Sequence, residues 1–238
     1  MLFRSDVILL AGTAAAIAAV HTLLGPDHYL PFTALAKSRG WSLAKTLKIT
    51  LWCGLGHLVG SIALGVVGIT LGSALAGLTA IEAMRGEMAA WLLCGFGLAY
   101  MVWGFRQAWR KKPHVHWHRH GDLMHCHVHD HQSEHAHLHE QSGQGTLGPW
   151  LIFVIFVLGP CEPLIPLLMY PAAMHSWTGV LLVTSVFGIV TVLTMLIMVA
   201  ALHIGLRRLR APGLGRFAHA LAGGTLFLCG ASMAVLGL

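Results

Sequence analysis

Charge is scarce in this chain of 238 residues. Charged residues make up 10%, against roughly 25% in a soluble domain. Acids are scarcer still, nine Asp and Glu in all. A soluble fold of this length needs charge to cover its surface, so a soluble enzyme is excluded. The five cysteines (Cys53, Cys94, Cys126, Cys161, Cys229) include no CxxC pair. Four of them lie in apolar stretches, so no disulfide framework is implied. There is no P-loop, Gly-rich nucleotide loop or phosphorylation motif, which argues against ATP hydrolysis by this chain. What the sequence does have is apolar: 56% hydrophobic residues and a mean hydropathy of +0.71. The solvent for most of the chain is lipid. The formal charge of +6 does not point to nucleic acid, because Lys and Arg sit between apolar runs as loop anchors do.

Apolar runs with almost no ionisable residue extend over 7–36, 49–81, 88–105, 147–173, 177–206 and 217–238. The second is read as one helix to about Gly72 with a small-residue exit. Six spans follow, in an all-α polytopic membrane protein. Alternate loops then collect thirteen Lys and Arg on one side and two, Arg4 and Arg85, on the other. The positive-inside rule places both termini outside and the loop after the third span in the cytoplasm of a bacterial inner membrane.

The first span contains Gly25-Pro26-Asp27-His28-Tyr29-Leu30-Pro31 and the fourth Gly159-Pro160-Cys161-Glu162-Pro163-Leu164-Ile165-Pro166. Each begins Gly-Pro, places two polar residues next and returns to Pro. Proline removes a backbone donor and clashes with the preceding turn, so both helices should be broken there. The two spans run in opposite directions. The expected plan is two inverted three-helix repeats, residues 1–110 and 147–238, separated by a loop over 111–146. Both breaks fall roughly 13–18 Å from the cytoplasmic boundary, near the midplane. Unwound backbone at that depth lines a cavity or is buried in protein.

Asp27 and Glu162 are read as the only carboxylates in the spans, and such residues are costly in lipid and usually functional. His21 and His28 lie seven residues apart, on one helical face. His57, in Gly54-Leu55-Gly56-His57, sits near mid-depth on the second span. Cys161 adds a thiolate-capable ligand. His, carboxylate and Cys together suit a first-row transition cation: Ni, Co, Zn or Cu. His21, Asp27, His28, His57, Cys161 and Glu162 are therefore the candidate metal ligands. Thr191 and Thr194, in the segment matching that of His57, are accessory polar groups. His203 and His219 are read as interfacial, and Cys53, Cys94 and Cys229 as buried small hydrophobes.

Eleven of the 17 His crowd into 114–140. They are His114, His116, His118, His120, His125, His127, His129, His131, His135, His137 and His139, with Cys126 among them. Alternate spacing points imidazoles one way in an extended chain. The composition cannot form a core, so the loop is read as disordered and as a multi-site metal capture element.

His21 with Pro26-Asp27-His28 resembles the His/Asp signature of the nickel/cobalt transporter superfamily. Gly54-Leu55-Gly56-His57 looks like its Gly-rich helix carrying a His, and the His-rich loop resembles its efflux branch. Gly159-Pro160-Cys161-Glu162-Pro163 is similar to the related urease-accessory-like and sulfite-exporter-like membrane proteins, which border the membrane thiol-electron carriers. In that superfamily four residues separate His from Asp-His; here five separate His21 from Asp27. The resemblance implies metal binding at His21, Asp27, His28 and His57, and at Cys161 and Glu162.

The leading expectation is a secondary transporter of divalent transition-metal ions, with export favoured over import. It is not an enzyme, has no cofactor beyond the transported ion, and touches lipid but no nucleic acid. Proton coupling through Asp27, Glu162 or His is compatible with it, as is a homo-oligomer. The alternatives are an importer supplying urease or hydrogenase maturation and a membrane thiol–disulfide electron carrier. The carrier needs two cysteines meeting at the centre, and Asp27 stands where the second would be.

Overall fold

The computed structural model describes residues 4–70, 75–110, 114–120, 123–129, 147–161, 163–208 and 215–236. Helix α1 (Arg4–Leu24) runs into a 3-10 turn at Pro26–His28 and continues as α2 (Leu30–Arg39). The two arms bend by 83°. Pro26 stops α1 as its chemistry requires, and Pro31 in the first turn of α2 loses no intrahelical bond. Helix α2 ends at Gly40, whose φ of 63° needs a residue without a Cβ. Then come α3 (Leu43–Thr70) and α4 (Leu75–Arg110). After a hairpin follow α5 (Leu147–Leu158), α6 (Leu164–Ala173), α7 (Trp177–Arg208) and α8 (Ala218–Leu236).

Among the described residues four helices, α3, α4, α7 and α8, are long and apolar enough to cross a membrane, and the bent α1–α2 pair makes five. The expected six-span count is not reached on these terms. The fourth expected span is cut by its own Gly-Pro into α5 and α6, of 12 and 10 residues, each shorter than a bilayer requires. Large apolar side chains, among them Trp52, Trp91, Leu181 and Ile197, face outward, as a lipid-facing surface does.

The expected third span began at residue 88. Helix α4 starts at Leu75 and has 36 residues, so it carries Glu82 and Arg85 inside the fold. Asp27 and Glu162 are therefore not the only span carboxylates. Arg85, taken for a loop charge, forms an ion pair with Glu82, which is fully buried.

Helix α4 packs along α8, α1 against α7, α3 against α5 and α7, and α2 against α8. The α4–α8 seam is a contact between backbones. A Cβ on Gly223 would meet the backbone of Met101 and the Gly97 carbonyl, and one on Gly97 or Gly104 would meet the backbone of α8. Small residues permit this approach, and in lipid such packing drives association. Two apolar cores flank the centre. One gathers Phe32, Leu35, Ile152, Phe156, Met195 and Leu226. The other gathers Ala14, Ala18, Cys161, Leu164, Val183 and Phe187.

The segment expected to be disordered contains two antiparallel strands, β1 (His114–His120) and β2 (Leu123–His129). His114 pairs with His129, His116 with His127 and His118 with His125. Trp117 pairs with Cys126. Period-two alternation is a strand pattern, and it outweighs the polar composition here. His131, His135, His137 and His139 lie outside the described residues.

Candidate functional site

The two broken segments meet against α3. His21 comes from the last turn of α1, Asp27 and His28 from the 3-10 turn, His57 from α3 and Cys161 from the α5–α6 break. Ligand atoms of His21, His57 and Cys161 all lie within 4.8 Å of one another. The His28 ring stands between the other two imidazoles, with centroids 4.9 Å from His21 and 5.5 Å from His57, nearly perpendicular to both. Cys161 is fully buried, and His28 and His57 are each 3% exposed.

Hydrogen bonds orient the rings. His57 donates from Nδ1 to the Phe156 carbonyl at 3.3 Å. His28 directs Nδ1 to the Gly25 carbonyl at 3.2 Å and to Asp27 Oδ1 at 3.3 Å. With Nδ1 carrying the proton, Nε2 keeps a free lone pair. Nε2 of His21, His28 and His57 are all buried without a partner. The two glycines of the breaks make this packing feasible. A Cβ on Gly25 would stand 2.5 Å from His28 Nδ1, and one on Gly159 would stand 3.2 Å from His57 Nδ1.

Glu82 and Arg85 hold the α5–α6 break together and escaped the sequence reading. The Cys161 N–H donates to Glu82 Oε2 at 3.0 Å. Arg85 donates to Glu82 Oε1 and, from Nη2, to the carbonyls of Val157 at 2.8 Å and Gly159 at 3.5 Å. A broken helix leaves carbonyls free at one end and N–H groups at the other. The ion pair supplies both with a partner. Gly60 makes room for it, since a Cβ there would meet Arg85 Nη2 at 2.7 Å. The available signal was Glu-x-x-Arg, an i,i+3 pair that neutralises itself inside an apolar run.

Two large clefts open in the fold, and one of them reaches the centre at His21. A cleft of about 520 Å³ is lined by His21, Gly25, Gly86, Glu87, Pro160 and Pro163 among others. A second, of about 490 Å³, is lined by Thr33, Lys37, Trp41, Ser42, His203 and Arg207 among others. Near the centre a space of only about 20 Å³ touches Asp27, His28, His57 and Phe156.

The structure thus brings together five expected residues: His21, Asp27, His28, His57 and Cys161. Asp27 and His28 pair with each other rather than joining the tightest group. Glu162 lies outside the described residues. Thr191 is buried on α7 with its hydroxyl unpartnered, one turn before half-buried Thr194. His203, expected to be interfacial, lies near the end of α7. It is buried, 6% exposed, beside the second cleft. His219 bonds the Tyr100 hydroxyl at 2.8 Å and packs edge-on against Trp103. Cys53, Cys94 and Cys229 are buried free thiols, as expected.

No curated protein and no solved structure matches the chain. A family model does, that of the cytochrome C biogenesis protein transmembrane region, over residues 28–235. This overturns the resemblance to the nickel/cobalt transporter superfamily, whose likeness rests on short motifs. Expected transition-metal transport finds no support in it, and the thiol–disulfide alternative fits it better. By a match covering nearly the whole chain, this protein belongs to the family of the cytochrome C biogenesis protein transmembrane region.

Proposed function

We propose that the chain is a membrane-embedded thiol–disulfide electron carrier working through Cys161. The observation that carries this reading is the family match, joined to the position of Cys161 at the broken helix behind Pro160 and Pro163, which line the larger cleft. Glu82 fixes the backbone of that cysteine. Among the described residues no second cysteine joins the group of His21, His57 and Cys161. Each exchange therefore takes its other sulfurs from partners. The Cys161 thiolate attacks one sulfur of an incoming disulfide. That S–S bond breaks, a mixed disulfide to Cys161 forms, and the departing sulfur leaves as a thiolate. A second thiolate attacks the partner sulfur of the mixed disulfide, a new S–S bond forms, and Cys161 leaves reduced. The cleft fits a small thiol or one extended peptide.

The same reading takes α5 and α6 together as the counterpart of α1 and α2, giving six membrane segments in two inverted halves. In support, the packing pattern survives exchange of the halves: α1 on α7 matches α5 on α3, and α2 on α8 matches α6 on α4. Both termini lie outside and the β-hairpin inside a bacterial inner membrane, on the strength of the basic-residue asymmetry.

The test uses protein reconstituted in vesicles and treated with oxidised glutathione, quenched with acid and mapped by mass spectrometry. A glutathione adduct forms at Cys161 and disappears in Cys161→Ser. An adduct-free Cys161 in folded protein, or equal modification of Cys53, refutes the proposal.

A further inference from the structure

We propose that His21, His57 and Cys161 form a three-coordinate site for a single cuprous ion. The proposal starts from unpaid hydrogen bonding. Buried polar side chains in native proteins are nearly always partnered. Here Nε2 of His21 and of His57 are both buried with no partner, and a ring nitrogen of each residue lies within 4.8 Å of the Cys161 sulfur. The His57 tautomer is set by its bond to the Phe156 carbonyl, which leaves Nε2 as a lone-pair donor. This is an outer-shell arrangement of the kind that orients a ligating imidazole.

The spacing is close to that of a loaded site. Ligand bonds of about 2.0–2.3 Å in a trigonal plane put donor atoms about 3.5–4 Å apart. The group here is no more than about 1 Å looser, and small rotations of the three side chains close it. A thiolate with two imidazoles selects a soft or borderline ion. Zinc almost always completes a tetrahedron with a fourth ligand or water. Cys161 and His57 are buried and, among the described residues, no fourth His, Cys, Asp or Glu joins the group, so a three-coordinate ion is the occupant that fits. Charge separates the candidates further. Asp27 already faces His28. Within the group of three, one thiolate neutralises a monovalent ion fully and a divalent one by half, and charge left over is costly in an apolar interior. Copper and disulfide exchange then compete for the same sulfur, so a bound ion holds the carrier switched off. That last clause rests on the proposed exchange, whereas the site itself does not.

The experiment uses the full-length protein, purified reduced and anaerobic in detergent, and titrated with Cu(I) against a chromogenic chelator. X-ray absorption is recorded on the one-equivalent sample. The wild type retains one ion with one sulfur and two nitrogen neighbours. Outer-shell changes cost about 10–100-fold in affinity, so loss of a direct ligand in Cys161→Ser or His57→Ala lowers it by more than about 100-fold. Cys126→Ser keeps the tight site and its sulfur neighbour, which separates it from the His-rich hairpin. Circular dichroism and gel filtration identify any variant that fails to fold, and for such a variant the protection of Cys161 from alkylation by one equivalent of Cu(I) in the wild type is decisive. Retained Cu–S scattering in folded Cys161→Ser overturns the proposal. So do loss of the tight site in Cys126→Ser, tighter binding of Zn(II) than of Cu(I), and alkylation of Cys161 at equal rates with and without copper. Failure of copper binding leaves the glutathione adduct unaffected, so the two readings fall separately.

Discussion

Removing the Glu82 carboxylate should open the α5–α6 break. In Glu82→Ala, Arg85 loses its anion inside the fold. Breaking a buried pair by deleting one partner costs about 3–5 kcal/mol. Arg85 is 14% exposed and keeps its bonds to the Val157 and Gly159 carbonyls, so this contribution falls at the lower end. The Cys161 N–H also loses its acceptor, and an unsatisfied buried donor costs about 1–3 kcal/mol. The two effects share one network and do not add, so the expected loss is about 3–5 kcal/mol in all. Glu82→Gln keeps an oxygen for the Cys161 N–H and loses only the charge, at about 1.5–3 kcal/mol.

The assay is thermal unfolding in detergent with a thiol-reactive dye, for which the buried cysteines are the reporters. The Tm should fall in the order wild type, Glu82→Gln, Glu82→Ala. Alkylation of Cys161 below the Tm should quicken in the same order. Glu82→Ala/Arg85→Ala should lose less than the two single changes summed, with a coupling of about 0.5–3 kcal/mol. A wild-type Tm together with a wild-type Cys161 alkylation rate in Glu82→Ala would refute the account of the clamp.

The basic-residue asymmetry sharpens once Arg85 is taken into the ion pair, leaving Arg4 alone on the minority side. Impermeant maleimide should therefore fail to reach Cys126 in intact cells and label it in inverted vesicles; the opposite pattern would reverse the topology. On α8, Gly223→Ala should destabilise by about 1–3 kcal/mol, because backbone atoms of α4 cannot yield to a new Cβ. Gly224→Ala meets only the Met101 sulfur at 3.6 Å and should be close to neutral, and equal Tm values for the two would contradict the backbone contact at this seam.

The breaks at Gly25-Pro26 and Gly159-Pro160 were legible because proline cannot donate in a helix, whatever surrounds it. The convergence of Asp27, His28, His57 and Cys161 was legible from the cost of such residues in lipid. Glu82 and Arg85 were not, because a search for uncharged runs stops at any charge. Two opposite charges one turn apart look like a loop when they are in fact a neutral unit that lipid-buried protein accepts. The hairpin was hidden by its composition, although two rows of alternating histidines around Gly121-Asp122 carry the period and turn residues of paired strands. The family was hidden for another reason. Short motifs around Asp27-His28 and His57 outweighed the broader pattern that spans residues 28–235.

A carboxylate at one break, Asp27, and a single sulfur at the other, Cys161, govern what the proposed carrier can do. Two cysteines facing each other at the breaks would store an electron pair by closing and opening their own disulfide. Asp27 cannot form an S–S bond. Its carboxylate holds His28 instead, and Cys161 is left with imidazoles as neighbours. Such a centre passes electrons only while a partner sulfur is attached, and between exchanges it holds a lone thiol. A lone thiol beside two unpartnered imidazole nitrogens is a ligand set as much as a nucleophile. The same geometry therefore supports both the exchange and the copper site, and the sulfur that serves one is withheld from the other. The buried Glu82–Arg85 pair is what both require, because it fixes the backbone of Cys161 from behind while leaving its sulfur turned toward the histidines.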